Sequence, residues 1–560
     1  MTANAQMIAH QASVLAAQGD DLRAAALFDQ GMAAFPQDAR LANSAGNFHF
    51  KAGRMDAALA LFERALTLAP NLVEAAVNAA ITLGRIGQPD RAAALLAPLE
   101  QAGDSHPGYW RIRADAERQA KHFRAAERSM ARALAREPGN PKTARSRARL
   151  SLECGDPEAL THIEQALTLN RGDPQLLFDY AQALAVAGQM QEALECSTTL
   201  VNNLPGWTEG LKLHAELRWA AGDRAQFADH FVGVASMPQA GPPIFLAWCD
   251  VLDGVDRHAE SAAILARARN IWPDDQNLAL AQAISLGEAG SPLEAQSVLD
   301  RFTDVADPAW STARGRNLLR LGDVARSEQV LAKALTASPD DVAAWALTDL
   351  CWRLKGDARH EWLHGQPGLV RSIALPLDAS ERATITALLT RLHQHSAMPI
   401  GQSVKHGSQT KGALFARAEP ELARLEAALQ AAIAEYRAGL PPADPGHPLL
   451  AQRDDPWTIV GSWSIRLDGE GHHVAHIHPR GLLSSASYWL VPDEVEADGQ
   501  PGWLELGNPP AGLAEGLGSL HTVRPQPGML VLFPSTLFHG TRPITRGTRM
   551  TVAFDVNASA

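Results

Sequence analysis

The chain has 560 residues, 46% of them hydrophobic, and its 62 acidic side chains outnumber 50 basic ones for a net charge of −12. That length exceeds one ordinary core and predicts several domains or a repeat array. The acidic balance, with no basic block to offset it, excludes a generic nucleic-acid or anionic-membrane binder. Met1–His10 has no cationic stretch feeding an apolar core, and no uncharged run of about eighteen apolar residues occurs, which predicts a soluble, cytoplasmic protein. Cys154, Cys196, Cys249 and Cys351 stand singly without CxxC spacing, as reduced packing residues do.

Residues 1–360 are rich in Ala and Leu and repeat with a period of about 34. Pro36, Pro70, Pro138, Pro205, Pro273 and Pro339 close units one or two periods apart, and turn glycines recur as Gly19, Gly53, Gly87, Gly188, Gly222, Gly290, Gly322 and Gly356. The clearest copy carries Gly46, Gly53, Ala58, Phe62, Ala65 and Pro70 in order, with irregular copies near 140–172 and 228–260. This pattern resembles the tetratricopeptide family. It implies about ten helix pairs stacked into an all-α superhelix whose groove takes a protein or peptide.

After Gly356 the period stops. Leu375–Leu377 reads as extended chain, followed by a helix capped near Asp378 or Ser380, and a second helix is expected over 419–438, where Leu422, Leu425, Leu429 and Ile433 recur at helical spacing. The polar, glycine-punctuated segment 402–412 reads as an ordered loop or short hairpin near a site.

From Trp457 the period becomes two, with strands expected over 462–467, 474–478, 485–491, 502–506, 529–533 and 549–556. Short strands separated by Gly and Pro turns suggest a double-stranded β-helix of jelly-roll or cupin type, buttressed by the two helices. The domains are therefore a repeat array over 1–360 and a second domain over 361–560, with a β core at about 457–557.

Twelve of the twenty histidines lie after residue 359. In a strand, His476 and His478 would point to one face, and His539 in Phe538-His539-Gly540 could complete a facial set on a metal ion. Ten residues later, Arg549, Thr551 and Ala553 alternate with the apolar Met550, Val552, Phe554 and Val556. An arginine facing a barrel interior calls for an anionic partner.

The run Gly528–Gly540 with Arg549–Asn557, and His476-Ile477-His478-Pro479 with Leu483–Leu490, resemble the two halves of a 2-oxoglutarate- and Fe(II)-dependent oxygenase from a bacterial branch with an HxHP motif. The resemblance implies that His476, His478 and His539 hold Fe(II). It implies that Arg549, with Thr551 and Tyr488, grips the far carboxylate of 2-oxoglutarate, and that O2 is consumed in hydroxylating a substrate docked by the repeats. Most members carry His-x-Asp/Glu where this chain has His478, so that residue is either a third ligand or stands behind the metal. Arg542 and Arg546 are alternative clamps. His472 and His473 read as loop residues, His406 and His521 as weaker site candidates, and Trp463 and Trp489 as core or cavity-lining residues. Two other functions fit the same residues: a three-histidine cupin-type dioxygenase without 2-oxoglutarate, and a non-catalytic repeat scaffold with a degenerate barrel.

Overall fold

The computed structural model describes residues 3–558, except 304, 306, 395 and 397–399. The chain divides into two compact units, Met1–Leu176 and Leu177–Ala560, the boundary falling within the helix Pro174–Val186.

The first unit consists of antiparallel helix pairs, among them Ala39–Lys51 with Met55–Leu68 and Tyr109–Gln119 with Phe123–Arg136. Asp38 caps the helix Ala39–Lys51 by accepting from the backbone N–H of Arg40 and Leu41, at 3.1 and 3.0 Å. Ala58, Phe62 and Ala65 are buried on its partner. Gly46 is small for a packing reason: a Cβ there would lie 2.5 Å from the Phe62 ring. The predicted turn glycines Gly19, Gly53 and Gly87 have φ of 83°, 75° and 76°.

The second unit continues the helix pairs to Val342–Lys355, which ends on left-handed Gly356. Where the glycine spacing skips a unit, left-handed turns are held by Lys121 and Gly155 in the first unit and by Asp256 in the second, with φ between 61° and 63°. Two of these three are not glycine, which is why glycine spacing passes over them. The four cysteines are free. No described helix is long and apolar enough to cross a membrane.

Among the described residues nine strands follow the repeats: β1 (Arg371–Ala374), β2 (Val404–Gln409), β3 (Trp457–His473), β4 (Leu483–Leu490), β5 (Leu504–Leu506), β6 (His521–Val523), β7 (Met529–Pro534), β8 (His539–Thr541) and β9 (Thr548–Ala558). They form two antiparallel sheets, one of six strands in the order β1-β7-β4-β9-β3-β2 and one of three in the order β6-β5-β8. The helix Ala379–Leu392 begins on a capping box between Asp378 and Glu381. With Pro420–Ala438 it covers one face of the large sheet. Ile385, Leu389, Leu422, Leu425 and Leu429 pack there against Leu530, Leu532, Met550, Val552, Phe554 and Val556.

Two local expectations are corrected. The segment 402–412 contributes the edge strand β2, because pairing with β3 supplies the backbone partners that its polar composition does not predict. Val474–His478 is not a strand: β3 ends at His473, and the chain then crosses to the small sheet. Val474 N–H bonds to Ser403 O, and His476 exchanges backbone bonds with His539 at 3.0 and 2.9 Å. A crossing segment touches each sheet once and has no ladder to continue.

His393 and His447 are buried, and burial lowers each pKa to about 4. His393 bridges Ser408 and Ser464, and His447 bonds to the Leu363 carbonyl. A folded pKa below the unfolded value of about 6.5 gives stability that is complete above that value and is lost as pH falls toward 4. The melting temperature of the second unit should drop between pH 7.5 and pH 5, and a His393→Gln/His447→Gln protein should show a smaller drop. In the first unit, Gly46→Ala gains up to about 1 kcal/mol of helix propensity but costs about 1–3 kcal/mol in overpacking. Thermal denaturation should therefore show a net loss.

Candidate metal centre

Three elements bring the histidines together. β8 carries His539, the crossing segment carries His476 through its bridge to His539, and the turn after it carries His478. The crossing requires Gly540, since a Cβ there would lie 2.9 Å from the His473 carbonyl and 3.1 Å from the Ala475 nitrogen. One ligand atom from each of His476, His478 and His539 lies within 4.8 Å of the others. His539 is buried and the other two are half-buried.

The hydrogen bonds fix which nitrogen faces the centre. His476 Nδ1 donates to the Val474 carbonyl at 2.9 Å, and His539 Nδ1 to the Leu537 carbonyl at 3.1 Å. His478 Nδ1 lies 2.5 Å from Asp555 Oδ1. A carbonyl or carboxylate can only accept, so each neutral ring carries its proton on Nδ1 and presents an Nε2 lone pair to the common centre. His476 Nε2 and His478 Nε2 stand 3.2 Å apart. Burial, reinforced by His478, lowers the His476 pKa to about 4, and burial with His476 holds His539 well below the usual histidine value. Converging imidazole Nε2 atoms are the donor set that a divalent transition metal takes.

A cavity of about 540 Å3 opens beside the cluster between the two sheets. Arg549 and Thr551 line it from β9, and Phe533 and Leu504 from opposite sheets. Arg549 is 2% exposed, and among the described residues no acidic side chain pairs with it. Its Nε and the Tyr488 Oη are buried without hydrogen-bond partners. The guanidinium carbon stands 5.2 Å from the centre of the Tyr488 ring, and Tyr488 is the cross-strand neighbour of Thr551. Burial lowers the Arg549 pKa and raises that of Tyr488. An unpaired buried cation costs several kcal/mol. An anion reaching in from the cavity would remove that cost and satisfy both orphaned atoms.

The alternative clamps lie elsewhere: Arg542 is paired with Glu505, and Arg546 is exposed. His406 and His521 are exposed on edge strands, and His472 faces Glu470 O. His472 and His473 are both corrected from loop to strand, since they end β3 paired with β2, and His473 lines the cavity. Trp463 also lines the cavity, 5.5 Å from His478 between ring centres, whereas Trp489 packs in the helix-covered core. Sequence reasoning missed Asp555 and Ser403. Asp555 continues the Arg549, Thr551, Ala553 alternation by one step, a signal that was present. Ser403 Oγ lies 3.2 Å from His476 Nε2; its segment is expected near a site, but no signal singles out that residue.

The repeats of the second unit brace this centre. Phe538 and Ile477, neighbours of the histidines, pack with Leu347, Leu350 and Cys351 of the helix Val342–Lys355. Arg353 of that helix donates to the carbonyls of Gly507 and Gly518. His364 joins Asp349 to Thr536 at 3.1 and 2.9 Å. On another side Gly401 N–H bonds to Gly254 O, and Lys405 pairs with Asp256.

Comparison with known proteins places these features in families. Residues 461–555, which span all three histidines, Arg549 and Asp555, match the family described as "Putative 2OG-Fe(II) oxygenase". Residues 11–72, 49–116 and 280–346 match tetratricopeptide-repeat families. The chain thus has stretches similar to tetratricopeptide repeats, followed by a region of 95 residues similar to that oxygenase family. No curated protein matches it. Among solved structures it is similar to PilW, a type IV pilus biogenesis factor (19% identity, 37% of this chain and 96% of that one, TM-score 0.34). It is also similar to a tetratricopeptide repeat protein from Parabacteroides merdae (13%, 50% and 98%, 0.33) and to MamA from Desulfovibrio magneticus RS-1 (17%, 31% and 98%, 0.28).

Metal binding to the folded state alone should raise stability, by about 2.7 kcal/mol at a hundredfold excess over Kd. Cobalt(II) should therefore raise the melting temperature of the wild-type protein and leave that of His539→Ala unchanged.

Proposed function

We propose that the protein is an Fe(II)- and 2-oxoglutarate-dependent dioxygenase that hydroxylates a protein or peptide held by its repeat array. The observation that carries this reading is the pairing of a three-imidazole centre with a buried, anion-less Arg549 across one cavity. His476, His478 and His539 would hold Fe(II), while Arg549, Thr551 and Tyr488 would hold the far carboxylate of 2-oxoglutarate. When bound, the iron and the keto acid supply oxygen activation, in which 2-oxoglutarate and O2 become succinate and CO2 as a substrate C–H becomes C–OH.

The chain's own residues do the rest. The Val474 and Leu537 carbonyls and Asp555 each accept from an Nδ1–H, so that the Nε2 of each neutral ring faces the centre. Arg549 attracts and orients a dicarboxylate, and Phe533, Ala486 and Leu504 give the cavity an apolar wall that excludes water. In this reading residues 1–360 form the docking array and 361–560 the oxygenase domain. The array raises the local concentration of substrate at the cavity. The family matches to repeats and oxygenase support that division of labour. Four free cysteines fit work in the reducing cytoplasm.

Anaerobic titration with Fe(II) and then 2-oxoglutarate should give the weak visible charge-transfer band of a chelated keto acid. His539→Ala should abolish it. Arg549→Ala should weaken 2-oxoglutarate binding by about 2 kcal/mol or more, roughly 30-fold, as expected for losing a buried charge pair. Iron binding without the band would favour a three-histidine dioxygenase that needs no 2-oxoglutarate. Absence of iron binding would favour a repeat scaffold.

A further inference from the structure

We propose that Asp555 and His478 act together as one anionic ligand, Asp555 supplying from behind the imidazole the charge that a His-x-Asp/Glu site places on the metal itself. The inference rests on the iron site proposed above and concerns how that site is balanced electrically.

The three imidazoles differ in what stands behind them. His476 and His539 donate to neutral backbone carbonyls, whereas His478 faces a carboxylate, at the shortest of the three distances. A hydrogen bond to an ionised acceptor is shorter and about twice as strong as a neutral one, and it draws the Nδ1 proton toward the acid. Electron density is thereby pushed to Nε2, the atom facing the cluster. His478 is also the residue standing at the position where the commoner motif has its acid.

The surroundings of Asp555 support the same conclusion. Its side chain is 17% exposed, and among the described residues no lysine or arginine pairs with it. A largely buried carboxylate whose partner is a neutral ring is poorly compensated, unless a cation lies on the far side of that ring. The chain makes room for it: a Cβ on Gly481 would come within 3.4 Å of Asp555 Cβ and Cγ and 2.9 Å of Ser535 Oγ. Two further features place Asp555 behind the site. It shares the cavity face of β9 with Arg549 and Thr551, and it meets His478 through Nδ1, away from the converging Nε2 atoms. Asp555 is thus a positioning residue, and it carries the charge that three neutral imidazoles lack.

The test is cobalt(II) affinity of the full-length protein, read from the visible d–d spectrum and from calorimetry. Asp555→Asn keeps an acceptor oxygen and the side-chain shape while removing the charge, and should weaken cobalt(II) binding about 10- to 100-fold, as loss of an outer-sphere partner does. Asp555→Glu, which restores the charge, should recover most of that loss. In a His478→Ala background, Asp555→Asn should change affinity less than twofold. An Asp555→Asn protein within twofold of wild type overturns the inference, as does an undiminished effect in the His478→Ala background. If Asp555→Asn does not fold, Asp555→Glu decides: binding within a few-fold of wild type supports the inference, and a loss of 10-fold or more overturns it. Wild-type protein that binds no cobalt(II) overturns the iron site itself, a result distinct from an Asp555 variant that binds as wild type does.

Discussion

Three imidazole lone pairs converging within 4.8 Å repel one another, and the local architecture of the site depends on holding them there. Each ring is locked from behind through Nδ1, so none can rotate to relieve the repulsion without breaking a hydrogen bond. The backbone is locked as well. His476 and His539 exchange a reciprocal pair of bonds, and Gly540 allows the crossing segment to lie against β8. A cation at the centre turns the repulsion into coordination, and most of the ordering cost is met by the fold before it arrives.

The same logic applies across the cavity. A buried guanidinium without an anion is costly on its own, yet Arg549 sits near the start of β9, paired with Leu467 of β3 and one residue before Met550 meets Leu490 of β4. Metal centre and arginine are two unmet charges of complementary demand, one calling for a cation and the other for an anion. A keto dicarboxylate bridging them would meet both. The helix Val342–Lys355 packs on Phe538 and Ile477, so the last repeats of the second unit are part of the wall behind the histidines. A substrate docked on those repeats would approach along a surface already fixed to the site, which is a tighter coupling than a flexible tether gives.

Much of this was legible in the residues. Repeat period, turn glycines, the Asp378 cap and the alternation of β9 are local signals, and local physics produces each of them. What escaped depended on pairing between distant segments. Segment 402–412 is polar and became a strand only because β3 offers it a ladder. Val474–His478 alternates like a strand and is not one, because it leaves one sheet for the other. Its histidines still converge, so the site was anticipated for a partly wrong geometric reason. The small-sheet strands β6 and β8 have three residues each, too short to carry a period. Asp555 was within reach of the alternation argument, but its meeting with His478, 77 residues earlier, is a tertiary fact.

The central claim is that three imidazoles, and no carboxylate, bind one iron. X-ray absorption at the iron edge of the anaerobic Fe(II) protein tests it most directly, because histidine rings give an outer-shell scattering pattern that can be counted. Three imidazoles per iron in the wild type, falling to two in His478→Ala, is the predicted result. Two imidazoles in the wild type, unchanged in His478→Ala, would contradict it and place His478 outside the coordination sphere.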